Sequence, residues 1–171
     1  MQMYAGALFL TIKTTKESHR KAKNKRRDEK MRYLLLVAHG EFAPGLHTAL
    51  NMLEGERDDV LDIPFHDGMS QDDFKAEIRQ VIDPITAEDE VLVLADLMGG
   101  SPLTGLMEQL DAKFGLGKVR AIGGMNLPMA ISACEAEDMT LDEAVTAVQA
   151  EAAEQIRPFA AADDAESDDD I

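Results

Sequence analysis

The sequence predicts an α/β fold: a doubly wound, mainly parallel sheet of strand order 2-1-3-4 with helices on both faces. Two observations carry that expectation. Four apolar runs, Tyr33 to Ala38, Val60 to Ile63, Val91 to Ala95 and Val119 to Gly123, are separated by helical patterns. The runs are also apolar without alternation, as strands are when helices cover both faces of their sheet. Right-handed crossovers leave few topologies for such strands, and 2-1-3-4 is a common one.

The elements follow in order. The first strand runs straight into His39-Gly40, a glycine turn. Leu46, Ala49, Leu50 and Leu53 then fall at i, i+3, i+4 and i+7, with Gly55 as the stop. The second strand gives way to Pro64-Phe65-His66-Asp67-Gly68, and Ser70 with Asp73 opens the next helix. Asp96-Leu97-Met98-Gly99-Gly100-Ser101-Pro102 follows the third strand. Ser101 is expected to cap the ensuing helix with its hydroxyl, Pro102 to fill the first turn, and Gly115 to end it after Leu103, Leu106, Met107 and Leu110. The fourth strand enters the loop Gly123-Gly124-Met125-Asn126-Leu127-Pro128. Thr140 with Glu143 forms a capping box for a last helix to about Ile156, with Leu141, Ala144, Val145, Val148 and Ala152 on one side.

The 171 residues suit a single domain with a sizeable core. The net charge of −16 is unevenly spread: residues 1–32 hold ten basic and three acidic side chains, leaving the other 139 residues at −23. So acidic a body should repel nucleic acid and anionic membranes and attract a basic protein partner. Cys134 is the only cysteine, which excludes an internal disulfide and fits a reducing, cytoplasmic compartment. Residues 1–30 read as a basic extension, disordered or an artefact of start-site choice; Ala5 to Ile12 is too short to span a bilayer. Residues 160–171 carry six acids and read as a disordered tail, leaving residues 31–159 as the domain.

In the 2-1-3-4 order the first and third strands are neighbours, and their carboxyl ends flank the topological switch point where such folds bind ligands. His39 and Asp96 are placed there. A carboxylate that accepts a hydrogen bond from one imidazole nitrogen leaves the other nitrogen's lone pair as a nucleophile. The competing role for Asp96 is a backbone cap. Gly99, Gly100 and Ser101 can present N–H groups at a helix N-terminus, which suits a phosphate. Gly115-Leu116-Gly117-Lys118 lacks the spacing of a nucleotide-binding loop. Phe42, Leu97, Met98, Met125 and Leu127 form an expected apolar rim for docking another protein, unless they tuck beneath the loops.

These residues resemble the enzyme IIA component of the mannose-type phosphoenolpyruvate-dependent sugar phosphotransferase system. The carriers are the strand with His39-Gly40, Asp96 followed by Gly99-Gly100-Ser101-Pro102, and Gly123 with Asn126-Leu127-Pro128-Met129, in this order from Met31 to about Phe159. The resemblance implies the 2-1-3-4 sheet, a homodimer and a C-terminal strand exchanged across it, here near Arg157 to Ala160. It implies that His39 accepts a phosphoryl group from the histidine-containing phosphocarrier protein and hands it to enzyme IIB. Asp96 then matches the family's hydrogen-bonding aspartate and Ser101 the serine of the phosphate loop. No cofactor or metal is implied, and the membrane is reached only through transporter subunits. Ala38, Leu97-Met98 and Thr104 depart from the residues common in the family, which bears on partner and sugar more than on chemistry.

Two other classes compete. A regulatory or dihydroxyacetone-kinase-type phosphocarrier module would keep a strand and histidine, although the latter lacks the GGSP element. A metal-dependent hydrolase would need His39, His66, Asp67 and Asp96 to converge. Of the remaining histidines, His47 falls off the apolar face of its helix and is expected at the surface, and His19 lies in the basic extension.

Overall fold

The computed structural model of the chain describes residues 30–159. The basic extension to residue 29, including His19, and the acidic tail from residue 160 lie outside the described residues. The strands are β1 (Arg32–His39), β2 (Val60–Phe65), β3 (Glu90–Ala95) and β4 (Val119–Gly123). The helices are α1 (Phe42–Glu54), α2 (Gln71–Val81), α3 (Ser101–Phe114), α4 (Leu127–Glu135) and α5 (Leu141–Gln155). Every strand pair is parallel and the sheet order is β2-β1-β3-β4, as the apolar runs predict.

Successive side chains of a strand point to opposite faces, so a strand that is apolar throughout feeds two cores. Along β1, Leu34, Leu36 and Ala38 pack with Leu46 and Leu50 of α1, Met129 of α4 and Val148 of α5. Tyr33, Leu35 and Val37 pack on the other face with Phe74 and Ile78 of α2 and Leu106 and Leu110 of α3. The capping signals at Ser70 and Thr140 hold. Ser70 Oγ accepts from Asp73 N–H at 3.1 Å, and Thr140 and Glu143 complete the reciprocal box. Cys134, buried on α4, is a free thiol that desolvation pushes up to about 11.

Three features differ from expectation. The loop expected after β4, Gly123 to Pro128, ends in the first turn of α4, a helix of nine residues not expected from the sequence. Asn126 Oδ1 accepts from Met129 N–H at 3.0 Å and a proline occupies the first turn. So short a helix shows less than three turns of periodicity, and the preceding glycines mask its cap. Secondly, residues 156–159 form no strand, and residue 160 lies outside the described residues. Pro158 has no N–H to give a ladder. Thirdly, His47 is partly buried, its Nδ1 2.5 Å from Asp62 Oδ1 on β2. A charged residue in an apolar run draws the off-stripe histidine inward.

The fully buried Leu94 lies next to the last residue of β3. Leu94→Ala is expected to lower unfolding free energy by about 2–5 kcal/mol, read from the urea midpoint with the m-value unchanged.

Candidate functional site

The β1–β3 ladder ends at the Val37–Ala95 register pair, and its two chains then diverge into helices on opposite faces. His39, the last residue of β1, therefore extends past the ladder. Its backbone N–H donates to Asp96 Oδ2 at 2.9 Å, and its ring Nδ1 lies 2.7 Å from the same oxygen. Asp96 Oδ1 accepts from Leu97 N–H at 2.7 Å. Asp96 thus fills both roles considered for it: it orients the imidazole and caps the neighbouring backbone.

Burial of Asp96 favours its neutral form, but the hydrogen bonds from His39 and Leu97 outweigh it and hold the carboxyl below its ordinary range. The carboxylate carries no proton at neutral pH, so Nδ1 of the neutral ring must donate, leaving the lone pair on Nε2. The imidazole side chain remains 46% exposed. Phe65, its register partner on β2, packs against it edge-on with ring centroids 6.2 Å apart. Gly40 turns the chain from the strand into α1 with φ +56°, a left-handed conformation that favours glycine.

The glycine-rich turn comes to the same ring. A Cβ on Gly100 would stand 3.3 Å from His39 Cε1, the carbon beside Nε2, so the bare glycine lets the start of α3 come close to that side of the ring. Gly99 takes φ +77° in this turn. The cap itself differs from the expected one: Gly100 is the N-cap, no side-chain hydrogen bond closes the helix end, and Ser101 is the first helical residue. A hydroxyl inside the helix cannot cap it, so the Ser101 side chain is not spent on that role. The N–H groups of Ser101 and Leu103 belong to a first turn with no intrahelical acceptors.

The apolar rim divides. Phe42, Leu97 and Met98 are 48%, 59% and 67% exposed, whereas Met125 is buried at 4% and Leu127 packs against the core. Leu127 is the first residue of α4, which packs on the core, and Met125 lies in the turn before it with its N–H bonded to the Ala95 carbonyl. His66 reaches the same edge, but its Nδ1 lies 3.1 Å from the exposed Glu41 rather than near the α3 start. Its carboxylate partner thus differs from that of His39, and no group of three or more His, Cys, Asp or Glu side chains among the described residues could hold a metal. No helix among the described residues is long and apolar enough to cross a membrane.

The site thus places a strand-end histidine, hydrogen-bonded to a carboxylate, beside a helix N-terminus without a side-chain cap in a doubly wound α/β protein. Residues 33–149 match the family model of the mannose-type enzyme IIA, described as "PTS system fructose IIA component", and the chain belongs to this family of the sugar phosphotransferase system. It is 30% identical over 69 residues to the fructose-specific EIIA component of Bacillus subtilis (strain 168), which covers 40% of the chain; the chain spans 47% of that relative. It is similar to the phosphotransferase system component EIIA from Streptococcus agalactiae (TM-score 0.65, 30% identity, 75% of this chain and 98% of that one). The mannose/sorbose-specific IIA subunit from Enterococcus faecalis shares the fold (TM-score 0.66, 22% identity, 78% and 97%).

The depressed Asp96 value carries a sign. Its stabilising effect is present above the ordinary 3.8 of an unfolded aspartate and is lost as pH falls through the lower folded value. The wild type is expected to be about 1–3 kcal/mol more stable than Asp96→Asn at neutral pH, with the gap closing below that range. Denaturant curves at matched pH values measure it; a gap that persists in acid would remove the carboxylate's charge from the account.

Proposed function

We propose that the protein is a phosphohistidine carrier of a sugar phosphotransferase system, taking a phosphoryl group from the histidine-containing phosphocarrier protein and passing it to enzyme IIB. The observation that carries this reading is the 2.7 Å contact between Asp96 Oδ2 and His39 Nδ1. The Nε2 lone pair attacks phosphorus as the P–N bond of the phosphorylated donor breaks, and the donor imidazole leaves with the electron pair. His39 keeps its Nδ1 proton, and Asp96 stabilises the positive charge that grows on the ring. Attack on the same phosphorus by an acceptor side chain of enzyme IIB breaks the P–Nε2 bond and returns neutral His39.

Around the transferred group, the N–H groups near Gly99, Gly100 and Ser101 and the Ser101 hydroxyl act on the phosphoryl oxygens. Phe42, Leu97 and Met98 offer the apolar contact for both partners, and the acidic body favours a basic one. In this reading the protein works in the cytoplasm as a homodimer, without cofactor or nucleic acid, and meets the membrane only through transporter subunits.

Intact-mass measurement after incubation with phosphoenolpyruvate, enzyme I and the phosphocarrier protein tests the assignment. Wild type should gain one acid-labile phosphoryl group and His39→Ala none; full labelling of the alanine variant rejects His39. Asp96→Asn should keep the fold and slow transfer on the order of 10²-fold, because the nucleophile loses its orientation.

A further inference from the structure

We propose that Gly123, the last residue of β4, is a positioning residue for the His39–Asp96 pair, acting through the backbone of the loop that follows β3. Its contribution is the lack of a side chain. A Cβ at this position would lie 2.8 Å from Met98 N, 2.8 Å from Met98 Cβ and 3.0 Å from Met98 Cα. These atoms are backbone or fixed to it, so they cannot swing aside as the end of a long side chain can. Met98 therefore rests directly on the bare Cα of Gly123.

That seat holds the Asp96 loop in place. Gly124 N–H donates to the Asp96 carbonyl at 3.2 Å, and Met125 N–H to the Ala95 carbonyl at 2.9 Å. On the opposite side, Asp96 N–H donates to the Val37 carbonyl of β1 at 3.2 Å. The main chain of Asp96 is thus held between the first strand and the turn after the fourth. Leu97 N–H, which holds Asp96 Oδ1 at 2.7 Å, belongs to the residue just before Met98. A side chain at 123 lifts Met98 off β4, draws Leu97 N–H away from Oδ1 and stretches the Gly124 bond. The carboxylate is then free to turn from His39 Nδ1, and the ring no longer keeps one tautomer. Packed interiors transmit such a displacement because there is no void to absorb it.

The consequence for transfer rests on the proposed role of His39; the consequence for the tautomer does not. The test is Gly123→Ala beside Gly45→Ala, an α1 control whose added Cβ meets nothing within 4 Å. Long-range 1H–15N spectra should show one neutral His39 tautomer, protonated at Nδ1, in wild type and in the control, and a mixture in Gly123→Ala. Phosphorylation of His39 in that variant should slow on the order of 10²-fold with the circular dichroism unchanged. A wild-type tautomer and a wild-type rate in Gly123→Ala overturn the proposal. A mixed tautomer in a protein whose wild type takes up no phosphoryl group upholds the positioning role and rejects the carrier function. If the variant fails to fold, amide exchange in the wild type decides: Leu97 and Gly124 N–H must exchange more slowly than Gly99 N–H, and equal rates overturn it.

Discussion

The carboxylate of Asp96 joins two strand ends that the sheet itself no longer holds together. Beyond the Val37–Ala95 pair the chains of β1 and β3 part toward helices on opposite faces, and the His39 N–H has no ladder partner. Asp96 supplies one, and with the same oxygen it takes the imidazole. The group that completes the backbone hydrogen bonding at the switch point is thus also the one that meets the His39 ring nitrogen. Its bonds to the charged form prevail over the desolvation that opposes it.

The three histidines of the described residues each meet a carboxylate, and the differences among them separate structure from chemistry. His47 and Asp62 are both partly buried and tie α1 to β2. His66 faces Glu41, both partners well exposed, where water screens the interaction. Only His39 combines an exposed ring with a carboxylate that is itself mostly buried and bound by backbone N–H groups. That combination fixes one ring nitrogen while leaving the other accessible, as a group that must both be aimed and be reached requires.

Charge is partitioned along the strand direction. Arg32 bonds to Glu90 and to the Ala136 and Met139 carbonyls, and Arg57 pairs with Asp59 and Glu137, all at the amino-terminal side of the sheet. The loops 40–42, 66–70, 96–101 and 123–127 at the other edge contain no lysine or arginine. In the proposed carrier role, a phosphoryl group at this edge meets backbone N–H groups and a serine hydroxyl in place of a lysine or arginine.

Apolar spacing and caps are local properties, so they located the four strands and four of the five helices, while the 2-1-3-4 order was one common choice among the few that right-handed crossovers leave. His39 and Asp96 were legible for the same reason: a strand's end is visible in the chain, and the switch point follows from the order. What only the tertiary structure decided depends on contacts between segments far apart in sequence. Met125 is buried and Leu127 packs against the core, while Leu97 and Met98 stay exposed although Met98's backbone sits on Gly123. The freedom of the Ser101 hydroxyl likewise follows from a one-residue shift in where α3 begins. No local pattern encodes such placements, since each is set by how closely two backbones approach once the sheet has formed.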